Sequence, residues 1–330
     1  MDVLILTESG PGFGFGHLTR CIAIREAFES YNIGCQIKVH SDHHLPENFN
    51  NEAILARGWY RDKHLLFEIL EGKDVVIVDS YYCEIEFLEI ISRYVRTPVF
   101  IDDFNRLEYP AGIVLNGNSY GSDLRYKKFK EYRHLLGPKY LVLRKAFWNV
   151  AVKEVQEHIQ RVLVTLGTGS FIEITQKILF EIKKCYPESE IDVISNHEDF
   201  DSLDSQAERV HYHHQLASKD MKRVIEAADL AISSGGQITY ELSKCGTPYI
   251  AITTADNQKK NINKLYENRL IMDTFSINEK DLIGRISRLL SKYNEQSMRL
   301  NQSRRATALF SGNGAANVVE AIVGQFELQG

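Results

Sequence analysis

The chain alternates short, wholly apolar runs with longer segments whose apolar residues recur every three or four positions. In the first half, Val3 to Leu6, Cys35 to Val39, Val75 to Val78, Val99 to Ile101, Ile113 to Leu115 and Tyr140 to Leu143 read as strands. Leu18, Cys21, Ile22, Ala27 and Phe28 share one face of a helix after the first strand. Residues 64–70 and 84–94 form further helices. Residues 41–62 are polar and irregular, residues 117–139 read as an irregular connection, and Arg144 to Val150 lead into a linker. The second half repeats the plan with strands at Val162 to Leu166, Ile191 to Ile194, Val210 to Tyr212, Leu230 to Ile232 and Pro248 to Ile252. Helices are expected at Ile172 to Cys185, Met221 to Ala228, Ile238 to Lys244, from Asp256-Asn257-Gln258 onward, over 280–309 and over 315–326. Buried strands alternating with helices imply parallel α/β sheets covered on both faces.

In such sheets ligands bind at the carboxyl ends of strands. Polar residues stand at those ends: Glu8, Asp79, Asp102 with Asp103, and Asn116. Any one of them could be a loop or helix cap; their recurrence at equivalent places points to a shared cleft. The first strand runs into Gly10-Pro11-Gly12-Phe13-Gly14-Phe15-Gly16-His17, a glycine-rich loop with one histidine where a helix begins. Glycines allow a ligand to approach the backbone, and a helix N-terminus offers free N–H groups. A tight turn beside a surface histidine would have the same spacing. The second half carries Ser233-Ser234-Gly235-Gly236 between strand and helix, suited to a pyrophosphate, with Glu241 about one and a half turns on. There a carboxylate can accept both ribose hydroxyls; the plain alternative is a turn and a surface glutamate.

At 330 residues the chain is expected to form two domains, 1–148 and 149–330, with a last helix able to pack back on the first. A formal charge of −5 argues against a general nucleic-acid binder. No apolar stretch approaches the ~20 residues that span a bilayer. Met1-Asp2 lacks the basic start of a signal peptide. The five cysteines are scattered and odd in number, which fits reduced thiols in the cytoplasm better than a disulfide framework or a zinc site. His211, His213 and His214 have no neighbouring Cys or carboxylate set, so no metal is expected there.

Gly14-Phe15-Gly16-His17-Leu18-Thr19-Arg20-Cys21 resembles the G-x-G-H-x-x-R-C signature of the PseG/SpsG family of nucleotide-sugar enzymes. Asp79-Ser80-Tyr81 is similar to its D-x-Y, and Ile101-Asp102-Asp103 to its second acidic strand end. Gly137 to Phe147, with Tyr140, Leu143 and Arg144, is similar to its G-x-x-Y-x-L-x-R-x-x-F segment. Ser234 through Glu241, then Gly246-Thr247-Pro248 and Asn257-Gln258, resembles its nucleotide-binding stretch, and Gly312-Asn313-Gly314-Ala315 its final helix start. The motif order is kept over most of the chain. Two departures are Gly167-Thr168-Gly169, where the family usually has Gly-Gly, and Ala146 in place of an acidic residue before Phe147.

The resemblance implies a GT-B fold: two Rossmann-like doubly wound α/β domains with an interdomain cleft. It implies hydrolysis of a UDP-sugar, as in the family's UDP-2,4-diacetamido-2,4,6-trideoxy-β-L-altropyranose hydrolase of pseudaminic acid biosynthesis. Water would attack the anomeric carbon with inversion, and neither cofactor nor metal is called for. His17 would activate the water, since a neutral imidazole is available near its pKa of about 6.5. Substrate would be held by Gly14, Gly16, Arg20, Asp79, Tyr81, Asp103 and Arg144 on the sugar side, with Asp79, Tyr81 and Asp103 also able to orient the histidine. Gly167, Thr168, Ser234, Gly235, Gly236, Gln237, Glu241, Asn257 and Gln258 would hold the nucleotide. Two other readings remain open: a MurG-like glycosyltransferase with the same donor site, and a nucleotide-sugar sensor without turnover.

Overall fold

The computed structural model describes residues 1–10, 16–43, 45, 49, 52–127, 132–167, 169, 171–195, 208–214 and 216–329. The chain divides into two compact units: Met1–Lys145 with Gly312–Gly330, and Ala146–Ser311. The division therefore falls at 145/146 rather than 148/149, and the last helix belongs to the first unit.

The first unit is built on a seven-stranded sheet in which every pairing is parallel. Its strands are β1 (Val3–Glu8), β2 (Cys35–His40), β3 (Ile54–Leu55), β4 (Val75–Asp79), β5 (Thr97–Ile101), β6 (Gly112–Asn116) and β7 (Tyr132–Leu136), in the order β3-β2-β1-β4-β5-β6-β7. Sequence order thus reverses at β1: the chain first builds outward to β2 and then crosses to β4 on the other side. Helices α1 (Gly16–Ser30), α2 (Lys63–Leu70) and α3 (Ile85–Tyr94) follow β1, β3 and β4. β1, β4 and β5 are buried along their whole length, which is why they read as continuous apolar runs.

Two expectations for this unit are corrected. Tyr140 to Leu143 is not a strand; the seventh strand is β7, inside the stretch read as an irregular connection. β7 is an edge strand with one neighbour, so its Tyr-Arg-His start lacks a buried-strand pattern. Leu141, Val142 and Leu143 are apolar for another reason: they are buried, and Gly314 of the last helix meets Leu141. The polar stretch 41–62 also contributes to the core. Trp59 is fully buried and its indole N–H donates to the carbonyl of Thr7 on β1 at 3.0 Å.

The second unit repeats the plan with β8 (Arg161–Thr165), β9 (Glu190–Ile194), β10 (Val210–His213), β11 (Leu230–Ser234), β12 (Tyr249–Thr253) and β13 (Phe275–Ser276). All its pairings are parallel, in the order β10-β9-β8-β11-β12-β13, with the reversal at β8. Its helices are α4 (Ile172–Cys185), α5 (Ser218–Ala227), α6 (Ile238–Cys245), α7 (Lys259–Glu267), α8 (Leu282–Tyr293) and α9 (Gln296–Leu309). Val162, Val164, Ile178, Ile182, Ile232, Ile250, Ile286 and Leu290 meet in one core, each side chain contributing about 1.5–3 kcal/mol through burial. Arg299 is fully buried, and its guanidinium donates to the carbonyls of Tyr293, Gln156 and Glu157 at 2.7–2.8 Å and so ties the start of the unit to α9.

The last helix, α10 (Gly314–Leu328), packs along the first unit. Tyr31 donates to Glu320 at 2.7 Å, Arg133 to the carbonyl of Ala321 at 2.9 Å, and the Arg96 guanidinium lies 3.9 Å from the centre of the Phe326 ring. Its entry depends on Gly314, where a Cβ would fall 2.0 Å from the carbonyl oxygen of Leu141, a backbone atom that cannot step aside. Gly324, in the same helix, faces open space. We expect Gly314→Ala to destabilise the protein by about 1–3 kcal/mol or more through overpacking, while Gly324→Ala is neutral or stabilising by up to about 1 kcal/mol. Urea denaturation of the two variants checks this, and equal midpoints would refute it.

Candidate functional site

In a doubly wound sheet the chain leaves the two strands flanking the reversal in opposite directions, which opens a crevice at their carboxyl ends. In the first unit that crevice lies where β1 and β4 end. β1 leads to His17 at the start of α1; β4 delivers Asp79, Ser80 and Tyr81; β5, the next strand, delivers Asp103. The His17 Nδ1 lies 2.9 Å from an Asp79 carboxylate oxygen. Arg20, one turn along α1, reaches the same carboxylate with Nε at 2.8 Å and Nη2 at 2.7 Å. Its other edge meets Asp103, Nη1 at 2.9 Å and Nη2 at 3.2 Å. The Tyr81 hydroxyl donates to Asp103 at 2.5 Å, and the Tyr81 ring stands edge-on to the imidazole, centroids 4.4 Å apart at 88°. Asn118, just beyond β6, donates to Asp103 at 2.7 Å.

Asp79 is fully buried and His17 is nine-tenths buried. Burial alone would raise the Asp79 pKa, but Arg20 and His17 outweigh it and hold the carboxyl well below the usual carboxylate range. Burial alone would lower the His17 pKa; the charge and hydrogen bond of Asp79 outweigh it, so the net shift is upward. Burial pushes the Tyr81 phenol well up, and Asp103 adds to that, which keeps its hydroxyl a donor. With Nδ1 on Asp79, the proton of a neutral imidazole belongs on Nδ1. Nε2, which has no hydrogen-bond partner among the described residues, then carries the lone pair of a base.

In the second unit the reversal lies between β8 and β11, and the loops after both strands meet there. Gly167 has φ +92°, and a Cβ on it would lie 3.6 Å from the Ser234 hydroxyl. A small hollow beside it, with room for about one water, is lined by Leu166, Gly167, Gly169, Phe171, Ile194 and Ser195. At the β11 end, a Cβ on Gly235 would stand 2.6 Å from Ile262 on α7, so close packing of that helix requires glycine. A Cβ on Gly236 would have no neighbour nearer than 3.7 Å, and its N–H has no acceptor among the described residues. Glu241 is buried on α6, not a surface residue.

Several anticipated ligand-binding residues turn out to be committed to the protein. Arg20 makes four hydrogen bonds to Asp79 and Asp103, so it organises the two carboxylates of the site. Both oxygens of Asp79 and of Asp103 are taken. The Gly235 N–H donates to Ile252 at 2.8 Å and to the Gln258 amide oxygen at 3.1 Å, so it belongs to the scaffold. Gln258 also accepts from the Thr254 N–H at 2.9 Å, and thereby clamps the ends of β11 and β12. Asn257 is exposed in the short turn before α7, Arg144 is half-buried near the end of the first unit, and Gln237 precedes α6. Gly16 opens α1 with nothing within 4 Å of a would-be Cβ. Gly14 and Thr168 lie outside the described residues.

Two residues of the cluster had no assigned role. Glu8 accepts from the Ser80 hydroxyl and, at 2.6 Å, from the Tyr81 N–H, which shapes the loop after β4; burial raises its pKa. Its place at a strand end was visible in the sequence. Asn118 was not distinguishable from other loop residues, because its partner Asp103 is brought to it only by β5–β6 pairing. Asp102, adjacent to Asp103, turns the other way and accepts from Tyr109 at 2.8 Å, from Tyr126 and from two loop N–H groups, a structural role. His211 and His213 each pair with a carboxylate, Glu190 at 2.6 Å and Asp192 at 2.7 Å. Among the described residues no group of three or more His, Cys, Asp or Glu side chains could hold a metal ion.

Two Rossmann-like units with parallel sheets define the architecture as GT-B, the fold of many glycosyltransferases. Residues 161–321 match the glycosyltransferase family 28 C-terminal domain. The chain is similar in fold to MurG of Acinetobacter baumannii, with a TM-score of 0.63 at 13% identity, covering 98% of this chain and all of that one. Over 78% of its length it is 23% identical to a Helicobacter pylori protein described as pseudaminic acid cytidylyltransferase and UDP-2,4-diacetamido-2,4,6-trideoxy-beta-L-altropyranose hydrolase. Over 98% it is 22% identical to an uncharacterized protein of Methanocaldococcus jannaschii. The chain spans 45% and 66% of the lengths of these two relatives. Among the described residues no helix is long and apolar enough to cross a membrane.

Arg20 keeps two buried carboxylates paired, and its removal leaves them uncompensated. We expect Arg20→Gln to cost roughly 3–5 kcal/mol at pH 7. Asp79 has a folded pKa below its unfolded one, so its stabilisation is present above the unfolded carboxylate range and is lost as pH falls through the folded value. The variant loses the cause of that depression, so the stability gap to the wild type should be full at pH 7 and narrow below about pH 4. Denaturation midpoints measured across pH test this; a gap independent of pH would contradict it.

Proposed function

We propose that the protein is a nucleotide-sugar hydrolase that releases UDP and a free sugar by attack of water at the anomeric carbon. The observation that carries this reading is His17 at the β1–β4 switch point, with Nδ1 held by a buried, ionised Asp79 and Nε2 unpartnered among the described residues. Nε2 takes a proton from water as the water oxygen bonds to the anomeric carbon. The bond from that carbon to the β-phosphate oxygen breaks, and UDP leaves with the electron pair. Attack from the face opposite the leaving group inverts the anomeric centre. The imidazolium so formed is stabilised by Asp79 and returns its proton to solvent.

In this reading the second unit holds the nucleotide. Diphosphate charge is met by the N–H of Gly236 and the start of α6, and ribose by the Glu241 carboxylate. The nucleobase is met by backbone at Gly167. Tyr81 and Gly16 face the sugar; Asn257 and Arg144 contribute at the edges of their units. The similarity to the Helicobacter pylori protein supports a diacetamido-trideoxy sugar as substrate and a place in surface-glycan synthesis. The alternative is a MurG-like glycosyltransferase, favoured by the family 28 match and the likeness to MurG. The same base would then deprotonate an acceptor hydroxyl in place of water.

The deciding experiment is NMR product analysis with a panel of UDP-sugars and no added acceptor. The hydrolase reading expects UDP and free sugar with an inverted anomeric centre. UMP and sugar 1-phosphate would contradict cleavage at the anomeric carbon, and turnover only with an acceptor would establish the transferase. His17→Asn should lower kcat by about 10²–10⁴-fold while leaving UDP binding intact. Because the base must be neutral and its pKa is raised, kcat/KM should fall as pH drops through a value above the ordinary histidine pKa of about 6.5. An acid limb below that value would contradict the pairing with Asp79.

A further inference from the structure

The arrangement around Arg20 poses a question that the His17–Asp79 pair does not answer. An imidazolium next to Asp79 would normally be stabilised by that carboxylate, yet Asp79 is already bonded through both oxygens to the Arg20 guanidinium. With Arg20 and Asp79 alone, the pair would be electrically neutral, and a proton on His17 would add an uncompensated charge to a buried site. Asp103 changes this balance. One guanidinium between two carboxylates leaves a single negative charge, and an imidazolium cancels it.

We infer that Asp103, braced by Asn118 and bonded to Arg20 and Tyr81, is a positioning residue that raises the proton affinity of His17 without touching it. Geometry supports the role. Arg20 binds both carboxylates through parallel pairs of N–H bonds, a rigid arrangement that fixes their separation. The Asp103 oxygen that faces Nη1 also accepts from Asn118 at 2.7 Å, and the other accepts from Tyr81 at 2.5 Å. Asn118 in turn is fixed by Asn116 at the end of β6, at 2.9 Å. Tyr81 closes the ring by standing edge-on against the imidazole. No hydrogen bond joins Asp103 to His17 among the described residues.

The charged and titratable groups around the imidazole can be assigned one by one. Asp79 on β4 touches it. Arg20, on its own helix, opposes its protonation, and Asp103 beyond β5 favours it. Glu8 at the end of β1 also feels the His17 charge, but it is buried and tied to Ser80 and Tyr81. Tyr81 keeps its proton and acts through its bond to Asp103. Asp103 therefore adds to Asp79 in favouring the imidazolium and offsets part of the opposing charge of Arg20.

The role of His17 as a base rests on the proposed function, but its proton affinity can be measured without it. The experiment is a titration of the His17 ring by NMR in the wild type, Asp103→Asn, Asp103→Glu and Asn118→Ala, with kcat/KM against pH as a second readout. Asp103→Asn should lower the His17 pKa by at least about 0.5 unit, roughly a threefold loss of proton affinity. Asp103→Glu, which keeps the charge, should recover most of the shift. Asn118→Ala, a milder change at a half-buried position, should give a smaller shift in the same direction. An unchanged His17 titration in a folded Asp103→Asn or Asn118→Ala protein overturns the inference. If the titration shifts as expected but no UDP-sugar is hydrolysed, the positioning role stands and the hydrolase reading fails.

Discussion

The first unit depends on one guanidinium held between two buried carboxylates. Two ionised aspartates in a protein interior repel each other, and each loses hydration on burial. Arg20 makes the pair tolerable by giving each carboxylate a two-bond contact. The consequence reaches beyond stability. Asp79 can remain ionised while buried, so it can hold Nδ1 of His17 and leave the lone pair of a neutral imidazole on Nε2. The loop after β4, the loop after β6 and the first turn of α1 are all anchored on this one set of bonds.

The second unit meets a different constraint, which is room. Among the described residues its corresponding switch point holds no dense charge cluster. Close approach of backbone matters instead, with Gly167 in the left-handed region and Gly235 pressed against Ile262. Gln258 fixes the β11 and β12 ends by accepting from the Gly235 and Thr254 N–H groups. Side chains that look like ligand contacts in the sequence are here the frame that holds backbone groups in place. The two units share a topology and use it differently: one concentrates titratable groups, the other exposes backbone.

Much of this was legible in the residues, for identifiable reasons. Central parallel strands such as β1, β4 and β8 are buried on both faces, so their apolar runs announce them. The polar residues that end them mark the sheet's carboxyl edge. Asp79 and Asp103 follow from that rule, His17 from the glycine-rich loop at a helix start, and Tyr81 from the family resemblance. β10 apart, the edge strands escaped it. β7 has one neighbour and a mixed pattern, and β3 and β13 are two residues each. Leu141 to Leu143 looked like a strand because apolar burial under α10 leaves the same mark as burial within a sheet.

The amino-acid sequence by itself determined the kind of protein: two parallel α/β units, where each begins its sheet, and which polar residues stand at the strand ends. Those follow from local periodicity and from glycine and strand-end chemistry, which neighbours along the chain express. Only the tertiary structure decided what each polar residue does. Arg20 is 59 residues from Asp79 and 83 from Asp103, and only strand pairing brings the three together. Whether an arginine greets a substrate or is consumed by two aspartates depends on that convergence, because the Coulomb energy of a charge is set by distances in space.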